Sequence, residues 1–199
     1  MARVTKRSNL FVIAVAAAVI ASIFTLGEWR LNKKNIWDEL AQDAPEQPEQ
    51  AATFLREAIS NFSDAQLSNL ARSIVESRDI KFSQTLTNSF IYTGKDKESK
   101  RLAVFIAEQG FILKGDIVLA NRAALEYKMG RFVQKNVEKA TTIFTSPVLI
   151  NVPISKFYLA EMLLDDSNPN KDPIEAQRLL KESAAAGIVA AKKKLKETM

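Results

Sequence analysis

Two stretches near the C-terminus of this 199-residue chain are copies of one another at a spacing of 36 residues. Ala123-Ala124-Leu125-Glu126-Tyr127 slides onto Leu159-Ala160-Glu161-Met162-Leu163, Asn136 onto Asp172, Ala140 onto Ala176, and Ile143-Phe144 onto Leu179-Leu180, all without a gap. Gly115, Asn151 and Gly187 keep the same interval, as do Ala123, Leu159 and Leu195. A fixed period in the thirties marks stacked helical hairpins, because one hairpin cannot bury its apolar face alone and must repeat to make a core. The expectation is an all-α protein that works by binding.

The residues around the copies fit helices. Ser63 and Gln66 form a capping box ahead of Leu67, Leu70, Ala71, Ile74 and Val75, which recur at one face of a 3.6-residue period. A second helix is predicted over about Ile80–Ile91, ending at Gly94. A third runs from about Asp96 to Gly110 or Gly115. The first copy then predicts a helix A over about Asp116–Lys128, a turn at Gly130 and a helix B from Asn136. Pro147, Asn151 and Pro153 end that helix early. The second copy predicts a helix A over about Ser155–Leu164 and a helix B from Asp172-Pro173, an N-cap followed by the proline favoured at the first helical position. It closes at Gly187. Ala191 and Leu195 keep the apolar positions of a further helix A, and Lys192, Lys193, Lys194 and Lys196 make the rest polar, as a terminal cap would.

The run Tyr127-Lys128-Met129-Gly130-Arg131-Phe132-Val133-Gln134-Lys135-Asn136-Val137-Glu138-Lys139-Ala140 resembles the loop and second-helix start of the Sel-one-like repeat family, relatives of the tetratricopeptide repeat. Tyr127, Gly130, Val133, Lys139 and Ala140 match the family pattern, Asn136 stands for its aspartate and Ile143-Phe144 for its aromatic pair. Glu182-Ser183-Ala184-Ala185-Ala186-Gly187 is similar to its closing motif, and Ala107-Glu108-Gln109-Gly110 echoes it. Phe132 replaces the second loop glycine, and the second copy has Asp165–Asn170 in place of the tyrosine-glycine loop. The resemblance covers about Gly115–Leu195. It implies a short right-handed α-solenoid whose A helices line a concave face that holds partner segments. On that face the residues outside the apolar stripe are Asn121, Arg122, Glu126 and Lys128 in the first copy, and Lys156, Phe157 and Glu161 in the second.

Composition narrows the chemistry. The chain has no histidine and no cysteine, which removes histidine-based triads, the HExxH zinc site, thiolate nucleophiles and disulfides. No cofactor or metal site is expected. Asp166, Asn168, Asn170 and Asp172 alternate like early calcium ligands, but Lys171 occupies the position that needs glycine, and Gln177 the one that needs an acid. The formal charge of +5 owes three charges to Arg3, Lys6 and Arg7. From Glu28 onward 25 basic residues face 23 acidic ones, so no concentrated basic face for nucleic acid is expected.

The other feature is N-terminal. Leu10–Leu26 reads LFVIAVAAAVIASIFTL, without charge, amide or proline. With Gly27 it reaches the lower limit of a membrane-crossing helix. Its ten Leu, Ile, Val and Phe residues favour insertion by roughly 3–6 kcal/mol. A cleaved signal peptide is the rival, since a basic start, an apolar run and Thr25-Leu26-Gly27 make a passable cleavage site. Trp29, Ile36, Trp37 and Leu40 form a stripe on a continuing helix, suited to the headgroup region or to another membrane protein. Gln42–Gln50, with Pro45 and Pro48, reads as a spacer or helix break.

The expected organisation is therefore a basic tail (1–9), a transmembrane helix (10–27), a juxtamembrane amphipathic helix (28–41), a Pro/acidic linker (42–51), a helical part of degenerate repeats or a cap (52–114), and two repeats plus a capping helix (115–199). The expected function is a membrane-anchored scaffold with protein partners in a membrane or envelope complex. It touches lipid through 10–27, with the N-terminus cytoplasmic and the helical domain on the far side of a bacterial inner membrane. The alternative is a secreted or periplasmic regulator of a sensor domain.

Overall fold

The computed structural model of the chain describes residues 33–166 and 168–198. Residues 10–27 and Trp29, read above as a membrane span and its anchor, lie outside the described residues. Among those described there are ten α-helices and no strand. None of these helices is long and apolar enough to cross a membrane. The helices are α1 (Lys33–Asp43), α2 (Pro48–Ala58), α3 (Asp64–Ser77), α4 (Ile80–Thr93), α5 (Lys97–Lys114), α6 (Ile117–Met129), α7 (Val137–Phe144), α8 (Pro153–Leu164), α9 (Pro173–Ala185) and α10 (Val189–Thr198). They fall into two compact units that divide within α5, after Ala103.

In the first unit α1 packs on α3 and α2 on α4. Each helix thus meets the next but one, as in a stack of hairpins. Leu55, Ile59, Leu67, Leu70, Ile74, Leu86 and Phe90 are fully buried there. The Ser63–Gln66 capping box forms as its spacing predicts, with Gln66 N donating to Ser63 Oγ and Ser63 N to Gln66 Oε1. Asp79 caps α4 through the Phe82 amide at 2.7 Å. The turn before α3 passes through Asn61 at φ 70°, a left-handed conformation that asparagine tolerates better than most residues.

The Pro/acidic segment departs from the expected spacer. α1 runs on to Asp43 and α2 already begins at Pro48. Ala41, Ala44, Ala51 and Ala52 are all buried. The prolines break the helix without freeing the chain, because small alanines on either side of the break let it pack closely and Pro48 opens α2 in the first turn.

In the second unit the 36-residue spacing is a spacing of backbone geometry. α6, α8 and α10 begin at Ile117, Pro153 and Val189, and α7 and α9 at Val137 and Pro173. The N-caps Asn136 and Asp172 share one conformation, at φ −140°, ψ 92° and φ −141°, ψ 91°. The amide of Asn136 donates to the Tyr127 carbonyl at 2.9 Å, and that of Asp172 to Leu163 at 3.0 Å. The same bond therefore closes both hairpins despite their different loops.

The loops reach it differently. Gly130 ends α6 at φ 68°, and a Cβ there would lie 2.8 Å from that of Lys135. After α8, Asn168 does the work instead. Its buried side chain donates to the Met162 carbonyl at 2.8 Å and accepts from the Asn170 amide at 2.9 Å. α7 ends at Phe144, as Pro147–Pro153 predicts, and the wholly buried Leu149 fills the core in the turns that follow.

Candidate partner-binding face

The two A helices of the second unit, α6 and α8, carry all seven residues that the resemblance assigns to a partner face. Asn121 is half-buried, and its Oδ1 accepts from Ser155 Oγ at 2.7 Å, across from α8 to α6. Lys128 Nζ reaches Glu161 Oε2 at 2.5 Å and lies 5.2 Å from the centre of the Tyr158 ring. Lys156 Nζ pairs with Glu182 Oε2 of α9 at 2.7 Å. Arg122 is half-buried. These residues lie on neighbouring helices of one unit, and Lys128 and Glu161 pair with each other across them.

Two of the seven do not belong to a surface. Glu126 is fully buried and is held by Arg131, which donates through Nη2 and, at 3.2 Å, through Nε. The pair spans the turn at Gly130, so the buried charge has a partner that reaches solvent. Phe157 is 8% exposed and sits in a core cluster with Ala160, Ala176, Leu179, Leu180, Ala184 and Ala191. Both residues were expected outside the apolar stripe. An A helix in a stack is covered by its own B helix and by the next A helix, so its buried arc is wider than one stripe.

The described part of the stripe expected to be juxtamembrane, from Ile36 onward, lies in the first unit. Ile36, Trp37 and Leu40 are all half-buried. The Trp37 ring meets Phe62 edge-on, centroids 5.7 Å apart, so one flank of the stripe packs on the body that follows.

A cluster that the periodicity did not single out lies on α5, α6 and α7. Tyr127 donates to Glu108 Oε2 at 2.5 Å, and Lys139 Nζ meets Glu108 Oε1 at 2.6 Å and Tyr127 Oη at 2.9 Å. Glu108 and Tyr127 are buried. Beside them a shallow recess of about 350 Å³ is lined by Phe111, Ile112, Glu138, Thr142 and Ile143. Tyr127 and Lys139 are family-pattern positions and Glu108 falls in the echoed closing motif. The signal was in the sequence, but not the 31-residue reach that joins its ends.

Elsewhere in the same unit, hydrogen bonds from Arg178 to Glu175 and from Lys156 to Glu182 hold both carboxyls below their ordinary range. Among the described residues no group of three or more acidic side chains is placed to hold a metal ion. Asp166 pairs with Lys171 at 2.5 Å.

No known family profile matches the chain, and no curated protein does. Its fold is similar to that of a protective antigen present in uropathogenic Escherichia coli strains, whose crystal structure displays an SLR (Sel-one-like repeat) fold, with a TM-score of 0.50 at 14% identity. The likeness covers 81% of this chain and 40% of the antigen. The chain thus has a helical-repeat fold of the SLR kind, spanning about two fifths of the length of that neighbour.

Proposed function

We propose that the protein is a membrane-anchored scaffold, not an enzyme, that assembles or stabilises a membrane or cell-envelope complex through its helical repeats. The observation that carries this reading is the side-by-side placement of α6 and α8, joined by Asn121–Ser155 and Lys128–Glu161, which keeps one continuous helical face rigid. Rigid faces bind with little ordering cost. Asn121, Arg122, Lys128, Lys156 and Glu161 border that face. The apolar run 10–27 serves as the lipid contact, the N-terminus is cytoplasmic, and the repeats stand in the bacterial periplasm. Purification of the full chain in mild detergent should recover a stable protein partner, whereas recovery of the chain alone under several extraction conditions contradicts the scaffold.

The basic start and the Thr25-Leu26-Gly27 site support a second reading, a periplasmic or secreted regulator of a sensor domain. Intact mass of the cellular protein separates the two, because a chain beginning at Glu28 has lost the anchor.

A further inference from the structure

Helix α1 is bound to the first unit at its C-terminal end. Arg78, between α3 and α4, sends Nη2 to the carbonyl oxygens of Ala41, Gln42 and Ala44 at 3.1, 3.1 and 2.6 Å. The last carbonyls of a helix lack intrahelical partners, and the helix dipole favours a cation there. Arg78 is steadied in turn by the Phe82 ring, 5.3 Å from its guanidinium carbon. Together with the Trp37–Phe62 contact and the buried Ala41 and Ala44, this fixes the C-terminal part of α1 and the start of the break before α2 to the body.

The clamp changes what lies between the apolar run and the fold. Six peptide steps lead from Gly27 to Lys33, the first described residue of α1. Even fully extended, the steps from Gly27 to Lys33 cover about 20 Å.

We propose that α1 is a rigid standoff, clamped by Arg78, whose first described residue lies within about 20 Å of the bilayer surface and whose clamped end lies at most about 17 Å further on. A partner that spans the same membrane then has its membrane-proximal part within reach of this unit. The proposal rests on the anchored reading above.

The test uses the full chain in lipid nanodiscs, and the absence of native cysteine makes introduced ones unique. Nitroxides on Glu39→Cys and Asn69→Cys, two exposed positions on α1 and α3, should give a single narrow distance that broadens in Arg78→Ala. A second measurement leaves the clamp and the fold intact. A donor dye on Gln42→Cys should transfer energy to headgroup acceptors, and ten Gly/Ser residues inserted after Asn32 should cut that transfer by about twofold or more. A membrane-held chain with a broad distance, or with transfer unchanged by the insertion, overturns the standoff alone. An intact mass that begins at Glu28 overturns the anchored reading and the standoff with it.

Discussion

Lys128 on α6 and Glu161 on α8 stand 2.5 Å apart, each 33 residues from the other in sequence and each on the first helix of its hairpin. The pair ties successive repeats together at the face proposed to meet a partner. Its side chains are 22% and 31% exposed, so it keeps some access to water and contributes about 1 kcal/mol or less to stability. Lys128→Ala should therefore leave thermal stability almost unchanged while weakening partner binding, as a binding titration beside a melting curve would read. Loss of stability without loss of binding would assign the pair to structure only.

The Glu108–Tyr127–Lys139 cluster should behave in the opposite way. Lys139→Met leaves a buried carboxylate with only the Tyr127 hydroxyl, at a cost of roughly 2–3 kcal/mol, less than for a fully buried pair because Lys139 is partly exposed. Adding Glu108→Gln should recover part of that loss. Urea denaturation of the single and double variants measures both steps.

Gly110 lies inside α5, where a Cβ would stand 2.2 Å from Leu119 Cδ1. Gly110→Ala should cost about 2 kcal/mol by overpacking. Gly187 adopts φ 95° with open space around it. There Gly187→Asn should cost under about 1 kcal/mol, since asparagine enters the left-handed region with little strain. Denaturant midpoints of the two variants should keep that order.

Acid should weaken both the Lys156–Glu182 link between α8 and α9 and the Glu175–Arg178 pair within α9. Glu182, bonded by Lys156, and Glu175, bonded by Arg178, both titrate below the ordinary value of 4.5 in the folded chain. Their contribution is present above that value and is lost as pH falls through the depressed folded ones. The difference in melting temperature between the natural chain and Glu182→Gln should be largest near neutral pH and shrink below about pH 4.

The repeat spacing assigns Phe157, Tyr158 and Ala160 of α8 to Lys193, Lys194 and Lys196 of α10. The lysines occupy positions that would otherwise pack on a next repeat. Restoring Phe, Tyr and Ala at the three sites should raise the mean mass in sedimentation through end-to-end association. An unchanged mass would mean that the lysines do not end the stack.

Local signals located most of this fold. Asp116, Asn136 and Asp172 cap the helices that follow them, Gly130 ends α6, and Ser63–Gln66 opens α3, each through atoms within a few residues. Burial was less legible. Glu126 and Phe157 sit on the flanks of an apolar stripe, and only the stacking of a second hairpin decides that those flanks are covered. Arg78, Glu108 and Lys139 act over about 30 residues or more of chain, and no periodicity records such a reach. The Pro/acidic segment has the composition of a spacer, yet Arg78 ties the chain down there.

The central claim is that the α6–α8 face holds a partner at the membrane. A photo-crosslinking residue in place of Arg122, in cells, tests it directly, with Lys181, exposed on α9, as the control position. The account predicts a discrete adduct with a membrane protein from position 122 and none from 181. Adducts from both positions alike, or from neither, would contradict it.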